Sequence, residues 1–215
     1  SNKENAENLI AVDPGANFTI TQEEIETILP ILSKCNILLV QLENNLNAVE
    51  YLISQSYKQG IKIILNPAPY QKISSEMISK VNIITPNEIE AELMTGIKIT
   101  TIDDAYNASQ ILHKQGVENV IITLGNKGAY LSSTDGQFHI PPYPAIPVDT
   151  TGAGDAFNGA LLAELSHGVK LIDACLFANA YASCAVEQKG TAFAMPVRKI
   201  VVEKMKTYSV QPIRF

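Results

Sequence analysis

Short apolar runs alternate with longer segments in which apolar residues recur every three or four positions. The short runs predict buried strands, and the longer periodic segments predict amphipathic helices. The predicted strands are residues 9–12, 37–42, 61–65, 81–84 and 120–124. The predicted helices are residues 22–32, 48–59, 87–94 and 103–115. Because strands and helices alternate, we expect an α/β protein with a mostly parallel sheet, right-handed crossovers and helices on both faces.

The pattern changes after residue 124. Residues 128–132 and 137–140 predict two short strands around a turn at Thr134, Asp135 and Gly136. The prolines between residues 141 and 147 exclude a central strand or a helix, so this segment is expected to cross the surface. Three helices without a sheet of their own are then predicted at residues 156–166, 172–188 and 197–208. Residues 1–215 are expected to form one domain.

The composition is that of a globular protein, since 46% of the 215 residues are hydrophobic and 18% are charged. A formal charge of −6 argues against a nucleic-acid-binding surface. The sequence has no apolar stretch typical of a signal peptide or a membrane span. Cys35, Cys175 and Cys184 lack CxxC spacing, and the three histidines are scattered, so we expect reduced thiols and no histidine or cysteine metal cage. These features indicate a cytoplasmic protein without nucleic-acid or membrane partners.

The segment VDTTGAGDAFNGALLAEL, residues 148–165, combines a glycine turn with the start of an amphipathic helix. Gly152, Ala153 and Gly154 allow a ligand to approach the backbone, and the first N–H groups of the helix lie at the positive end of its dipole. Together they predict a phosphate site. Asp155 lies at the same point, where a carboxylate can accept a proton from an attacking hydroxyl. The alternative is a structural turn in which Asp155 only stabilises the helix dipole.

A second glycine turn, TLGNKG at residues 123–128, begins at the end of the predicted strand 120–124. Its residues Thr123, Gly125, Asn126 and Gly128 can line a nucleotide, or the turn can simply lead into the hairpin. The Walker pattern GxxxxGK[ST] is absent from the sequence, so a phosphate site would depend on the helix start near residue 152 rather than on a P-loop.

Three polar residues also follow predicted strands and leave two interpretations open. Asn87 and Glu90 are three residues apart, a spacing typical of a capping box and also suited to Mg²⁺ held mostly through water. Glu43 follows the strand at residues 37–42, at the edge where parallel sheets bind ligands, or it begins an ordinary loop.

Several segments together resemble the ribokinase-like (PfkB) sugar kinase family and follow the order of that family. They are PGAN (14–17), QLE (41–43), NPAP (66–69), TPNEIEAE (85–92), TLGNKG (123–128), GAGD (152–155) and KGTAFAMP (189–196). The resemblance implies a ribokinase-like three-layer α/β/α fold and ATP-dependent phosphorylation of a sugar. The leading expectation is D-ribose phosphorylated at its 5-hydroxyl. A fructokinase-like sugar kinase and a non-catalytic nucleotide-binding fragment are the alternatives.

The resemblance also implies roles for individual residues. Asp155 would be the catalytic base, and the backbone at Gly152, Ala153 and Gly154 would bind the transferred phosphate. Nucleotide contacts are implied for Asn87, Thr123, Gly125, Asn126, Gly128 and Asn179, the last of which is otherwise an ordinary polar helix position. Sugar contacts are implied for Glu43 and Asp155. Mg²⁺ is implied at Glu90 through water, and K⁺ at Asp149, Thr151, Ala185, Gln188 and Gly190. Ala194 stands where the family commonly has serine, which leaves K⁺ dependence open.

The family carries a further segment ahead of the region that begins near residue 9, with a sugar-binding motif and much of a lid. Residues 1–215 hold no counterpart of it, so we expect an N-terminally shortened domain with an exposed sheet edge. Because members often dimerise through lid strands, a homodimer is expected for the full-length protein. For this chain, we expect self-association or poor solubility through residues 9–12.

Overall fold

The computed structural model describes residues 13–215, which divide into two compact units. The first unit comprises residues 13–123 and 132–137, and the second comprises residues 124–131 and 138–215. The strand expected at residues 9–12, with the self-association predicted for it, lies outside the described residues. Between residues 13 and 215, no helix has the length and apolar character needed to cross a membrane.

The first unit alternates helices with strands, as the periodicity predicts, apart from one short helix at residues 75–78 that was not predicted. Its helices are α1 (Gln22–Leu32), α2 (Leu46–Lys58), α3 (Ser75–Ile78), α4 (Glu88–Thr95) and α5 (Ile102–Lys114). Its strands are β1 (Ile37–Gln41), β2 (Lys62–Asn66), β3 (Ile83–Ile84) and β4 (Asn119–Thr123). These strands lie in the order β1-β2-β3-β4, and every neighbouring pair is parallel. The predicted parallel α/β arrangement is therefore confirmed.

Local sequence explains where these elements begin and how deeply they are buried. Thr21, Asn87 and Thr101 each start a helix with a capping box, in which side chain and backbone bond reciprocally. The apolar residues 63–65 of β2 and 120–122 of β4 are fully buried. Parallel strands that are covered on both faces need such continuous apolar runs.

The second unit holds the remaining elements. Its helices are α6 (Ala153–Ser166), α7 (Leu171–Ala185) and α8 (Arg198–Tyr208), and its strands are β5 (Ala129–Ser133), β6 (Gly136–Ile140) and β7 (Ile213–Arg214). The tip of the β5–β6 hairpin, residues 132–137, is grouped with the first unit. Strand β7 pairs antiparallel with β6. No strand was predicted after the three final helices, so β7, which follows α8, corrects that expectation.

Helices α6 and α7 form the densest helix contact of the second unit. Ala156 and Ala160 of α6 are buried, as are Ala174 and Ala178 of α7. Small side chains let the two helix backbones approach closely, and α8 packs against α7 in turn. This packing fixes the N-terminal end of α6, where the glycine turn lies.

Candidate functional site

The N-terminus of α6 has the geometry of an anion site. Gly152 caps the helix with φ +79°, a left-handed conformation that favours glycine. Ala153 N–H donates to Thr150 O at 3.2 Å, so this amide is engaged within the turn, whereas Gly154 is exposed. Asp155 is exposed in the first helical turn. The positive end of the helix dipole and an acidic side chain therefore meet at one exposed point.

Asp149 ties this turn to the segment that follows α7. Its Oδ1 accepts from Thr151 N–H at 3.0 Å, and its Oδ2 accepts from Gly190 N–H at 3.1 Å. The backbone N–H groups of Val148 and Asp149 donate to Val186 O at 2.8 and 3.2 Å. Hydrogen bonds, first from the Thr151 side chain and then from the two amides, lower the pKa of the Asp149 carboxyl. The structure thus brings Asp149, Thr151 and Gly190 of the predicted K⁺ set together.

The other two residues of that set lie in the same segment. Gln188 N–H donates to Ala185 O at 3.1 Å, which closes the turn after α7. Backbone carbonyls suit a large monovalent cation, and the Ala185 carbonyl keeps a second lone pair beside this hydrogen bond. The K⁺ site stays a prediction.

The turn at residues 125–128 depends on glycine. Gly128 has φ +89° and ψ −129°, and a Cβ at this position would lie 2.1 Å from Ile140 O. Gly125 also has a positive φ, +53°. Leu124 N–H donates to Gly128 O at 2.8 Å and closes the turn. The turn therefore packs directly on the backbone at the end of β6, which no residue with a side chain would allow.

A cavity of about 480 Å³ lies within the second unit. Its size is typical of small-molecule sites. The residues around it come from the 125–128 turn, the proline-rich segment, the start of α6 and one face of α7. They are Gly125, Asn126, Pro142, Tyr143, Pro144, Ala145, Pro147, Thr150, Ala153, Asn179, Ala182, Ser183 and Val186. The predicted nucleotide residues Gly125, Asn126 and Asn179 therefore meet at the cavity where the predicted phosphate turn ends.

One wall of the cavity is the segment of residues 141–147, which we call the strap. Asn179 Nδ2 donates to Pro141 O at 2.7 Å at one end of the strap. Near the other end, Ile146 N–H donates to Glu187 Oε1 at 3.2 Å. Lys204 Nζ, on a side chain that is only 9% exposed, donates to Glu187 Oε2 at 3.1 Å. Glu187 and Lys204 were not predicted from the sequence, because only these long-range contacts give them a role.

In the first unit, Asn87 and Glu90 form the predicted capping box. Glu90 N–H donates to Asn87 Oδ1, and Asn87 N–H donates to Glu90 Oε2, both at 2.9 Å. Glu90 is 7% exposed, and burial raises the pKa of its carboxyl. No cation pairs with Glu90 among residues 13–215. A buried carboxylate without a cationic partner fits a residue that orders a hydrated Mg²⁺, so both interpretations of this pair remain compatible with the structure.

Thr123 and Glu43, also in the first unit, lie at the carboxyl ends of strands. Thr123 is the last residue of β4, and Glu43 follows β1 as predicted. Thr123 N–H donates to Pro86 O at 3.0 Å, and Thr123 forms a parallel bridge with Asn87. Two predicted nucleotide residues are therefore neighbours. Glu43 is exposed after β1, and the preceding Gln41 donates to Asn66 Oδ1 at 3.4 Å. Segments 41–43 and 66–69 are thus adjacent.

No group of three histidine, cysteine or acidic residues that could hold a metal ion occurs in the described range 13–215. Mg²⁺ retains most of its water shell in phosphate-transfer sites and needs few protein oxygens. A single buried carboxylate such as Glu90 is therefore a sufficient protein contribution for such an ion.

Comparison with known proteins identifies the family. The model of the pfkB family of carbohydrate kinases matches residues 1–198. The ribokinase of Haemophilus influenzae is 36% identical over 198 residues, which are 92% of this chain and 65% of that protein. The deoxyribokinase of Salmonella typhi is 34% identical over 193 residues, 89% of this chain and 63% of that protein. This chain thus spans less than two thirds of the length of either relative.

Solved structures agree with this match. Ribokinase from Arabidopsis thaliana, solved as a complex with ribose and ATP, superposes with a TM-score of 0.87 at 31% identity. The superposition covers 93% of this chain and 65% of the plant enzyme. The family match extends over nearly the whole chain, and the fold agrees with it. The chain belongs to the pfkB family of carbohydrate kinases.

Proposed function

We propose that this chain carries the nucleotide- and phosphate-binding residues of an ATP-dependent sugar kinase. The observation that carries the proposal is the 480 Å³ cavity, because its lining runs from the α7 face to Thr150 and Ala153 at the start of α6. A nucleotide whose base occupies the cavity would present its phosphates to the amides and the dipole of α6. The glycine turn at residues 125–128 supports the same assignment.

Asp155 is the proposed catalytic base. It accepts the proton of the sugar hydroxyl, whose oxygen then attacks the γ-phosphorus of ATP while the bond to the bridging oxygen of ADP breaks. The turn at Gly152, Ala153 and Gly154 is assigned to the charge that develops on the transferred phosphoryl group. The Ala153 amide would exchange its bond to Thr150 O for the ligand. The exposure of Asp155 supports this role, because a base must reach its substrate.

Mg²⁺ would neutralise part of the phosphate charge when bound with ATP. We assign Glu90 to its water shell and Asn87 to the organisation of the same group. The remaining nucleotide contacts are assigned to Thr123, Gly125, Asn126, Gly128 and Asn179. K⁺ beside the phosphate site is assigned to Asp149, Thr151, Ala185, Gln188 and Gly190.

The proposed substrate is D-ribose, phosphorylated at its 5-hydroxyl, with Glu43 contacting the sugar. The similarity to a ribokinase supports ribose, and the similarity to a deoxyribokinase makes 2-deoxyribose the natural competitor to test. ADP release should be measured with ribose, 2-deoxyribose and fructose at equal concentration. Ribose should give the fastest release, and a preference for fructose would favour the fructokinase-like alternative.

A second candidate function is nucleotide binding without turnover. The observation in its favour is that the chain spans only 65% and 63% of the two relatives described above. The kinase and the nucleotide-binding fragment can be distinguished by titration calorimetry with Mg-ATP and Mg-ADP together with the sugar assay. Binding with ribose-dependent ADP release supports the kinase, binding alone supports the second candidate, and absence of binding refutes both. A homodimer remains a prediction for the full-length protein, and a single kinase domain remains a prediction for residues 1–215.

A further inference from the structure

The stretch between Tyr143 and Asp149, which includes the end of the strap, is held by its backbone rather than by buried side chains. Tyr143 and Asp149 are themselves buried, but no side chain between them is. Ile146 is 81% exposed and Val148 is 54% exposed, so hydrophobic burial of these side chains does little to fix the chain. The position of the stretch therefore depends on the acceptors that its amides meet.

Those acceptors lie at the end of α7, and they differ in rigidity. Val148 N–H donates at 2.8 Å to the backbone carbonyl of Val186, the C-cap of α7, which the helix keeps in place. Ile146 N–H donates instead to a side-chain atom, Glu187 Oε1, at 3.2 Å. The Glu187 side chain is 37% exposed, and a free glutamate side chain populates many rotamers. Glu187 can hold the strap only if a further contact fixes its carboxylate.

Lys204 of α8 supplies that contact. Its Nζ donates to Glu187 Oε2 at 3.1 Å and to Ser183 O at 3.3 Å. The Lys204 side chain is nearly buried, so its own freedom is already restricted. A cation that is fixed in this way holds the carboxylate by a charge-assisted bond and leaves Oε1 for Ile146. The contacts therefore run from α8, through the end of α7, to the strap.

We propose that Glu187 and Lys204 are positioning residues for the ligand of the cavity, because they hold the strap where it forms the cavity wall. The inference rests on the proposed function, which puts the nucleotide in this cavity. Ala145 and Pro147, on either side of Ile146, line the cavity, whereas neither Glu187 nor Lys204 does. The pair thus acts through the backbone of the strap. If the strap is released at Ile146, the binding-competent fraction falls and the apparent affinity falls with it.

A purely electrostatic effect of the two charges would give a different result. The nucleotide is an anion, so removal of the negative charge in Glu187→Gln would strengthen its binding, and removal of the positive charge in Lys204→Met would weaken it. Positioning predicts that both substitutions weaken binding. The amide of Glu187→Gln still offers an acceptor to Ile146, but it no longer forms an ion pair with Lys204.

Titration calorimetry with Mg-ATP on the 215-residue chain is the first measurement. Glu187→Gln and Lys204→Met should each raise the Kd about three- to tenfold, the scale of one hydrogen bond. Lys204→Arg keeps the cation and should retain most of the affinity. Lys206→Met removes the same charge from an exposed position of α8, and its Kd should stay within about twofold of the unaltered chain. Tighter binding by Glu187→Gln, or an unchanged Kd in both variants of the pair, would overturn the proposal.

Amide hydrogen exchange, followed by NMR on the ligand-free chain, separates release of the strap from a general loss of stability. The Ile146 amide should exchange at least about fivefold faster in Glu187→Gln and Lys204→Met. The Val148 amide should change less, because its acceptor is a backbone carbonyl. Equal acceleration of both amides would show a general loosening and refute the positioning role. If Lys204→Met does not fold, Glu187→Gln decides by the same two measurements.

The two measurements also separate this inference from the function on which it rests. Faster exchange at Ile146 with unchanged ATP affinity would retain the kinase proposal and refute the positioning of the ligand by Glu187 and Lys204. Absence of ATP binding by the unaltered chain would refute the proposed function and the positioning role with it. Weaker ATP binding together with selective exchange at Ile146 supports both.

Discussion

A substitution at Gly128 tests whether the 125–128 turn packs on the backbone at the end of β6. With φ +89° and ψ −129°, it occupies a region that costs a residue with a side chain about 1–3 kcal/mol. A Cβ would also lie 2.1 Å from Ile140 O and 2.8 Å from Pro142 N. Both are backbone atoms, so no side-chain rotation relieves the clash, and overpacking adds about 1–3 kcal/mol. Gly128→Ala should therefore lose about 2–6 kcal/mol of unfolding free energy.

Gly168→Ala is the matched control. Gly168 also has a positive φ, +77°, but nothing lies within 4 Å of its Cβ position. It should lose only the conformational part, about 1–2 kcal/mol. Urea unfolding measures both variants, and ATP titration should show weaker binding only for Gly128→Ala, because Gly125 and Asn126 of the same turn line the cavity. Equal destabilisation by the two changes would refute the contact between the turn and the end of β6.

Three further outcomes are expected. Burial raises the pKa of Glu90, so the folded state loses stability as the pH rises through that pKa. In Mg²⁺-free buffer, the Tm of Glu90→Gln should therefore exceed that of the unaltered chain at pH 8 and equal it at pH 4. A lower Tm of the variant at pH 8 would contradict this. Asp155→Asn should slow ribose-dependent ADP release by about 10²–10⁴-fold with ATP affinity retained; near-normal turnover would exclude Asp155 as the base. Lys204→Met should lose about 1–3 kcal/mol in thermal unfolding, because it leaves Glu187 without its buried cation. Lys80→Met, which breaks the more exposed ion pair with Glu76, is the control. A loss of unfolding free energy in Lys204→Met no larger than in Lys80→Met would contradict the prediction.

Local patterns were enough to predict most elements of the fold. The helix predicted at residues 22–32 has the same bounds as α1, and the capping box of Thr21 and Glu24 explains where it begins. The long apolar runs predicted β1, β2 and β4 to within one or two residues at each end. Strand β7 escaped prediction, since two exposed residues at 213–214 carry no periodicity and pair only because β6 lies beside them.

The candidate site could be predicted where its residues lie close together in the sequence. The GAGD turn and the pair Asn87 and Glu90 belong to this class, and the structure confirms the capping box, while their catalytic and metal roles remain predictions. The strap contacts could not be predicted in the same way. Asn179 reaches Pro141 across 38 residues and Ile146 reaches Glu187 across 41, so only the folded chain brings them together.

The prolines of the strap also shape the thermodynamics of any ligand that enters the cavity. Each proline fixes its own φ in the unfolded chain as well as in the folded one, and it restricts the residue before it. The strap therefore has little conformational entropy left to lose when it closes against a ligand. Walls that are already ordered keep the entropic penalty of association small. The freedom lost on binding is then mainly that of the ligand itself.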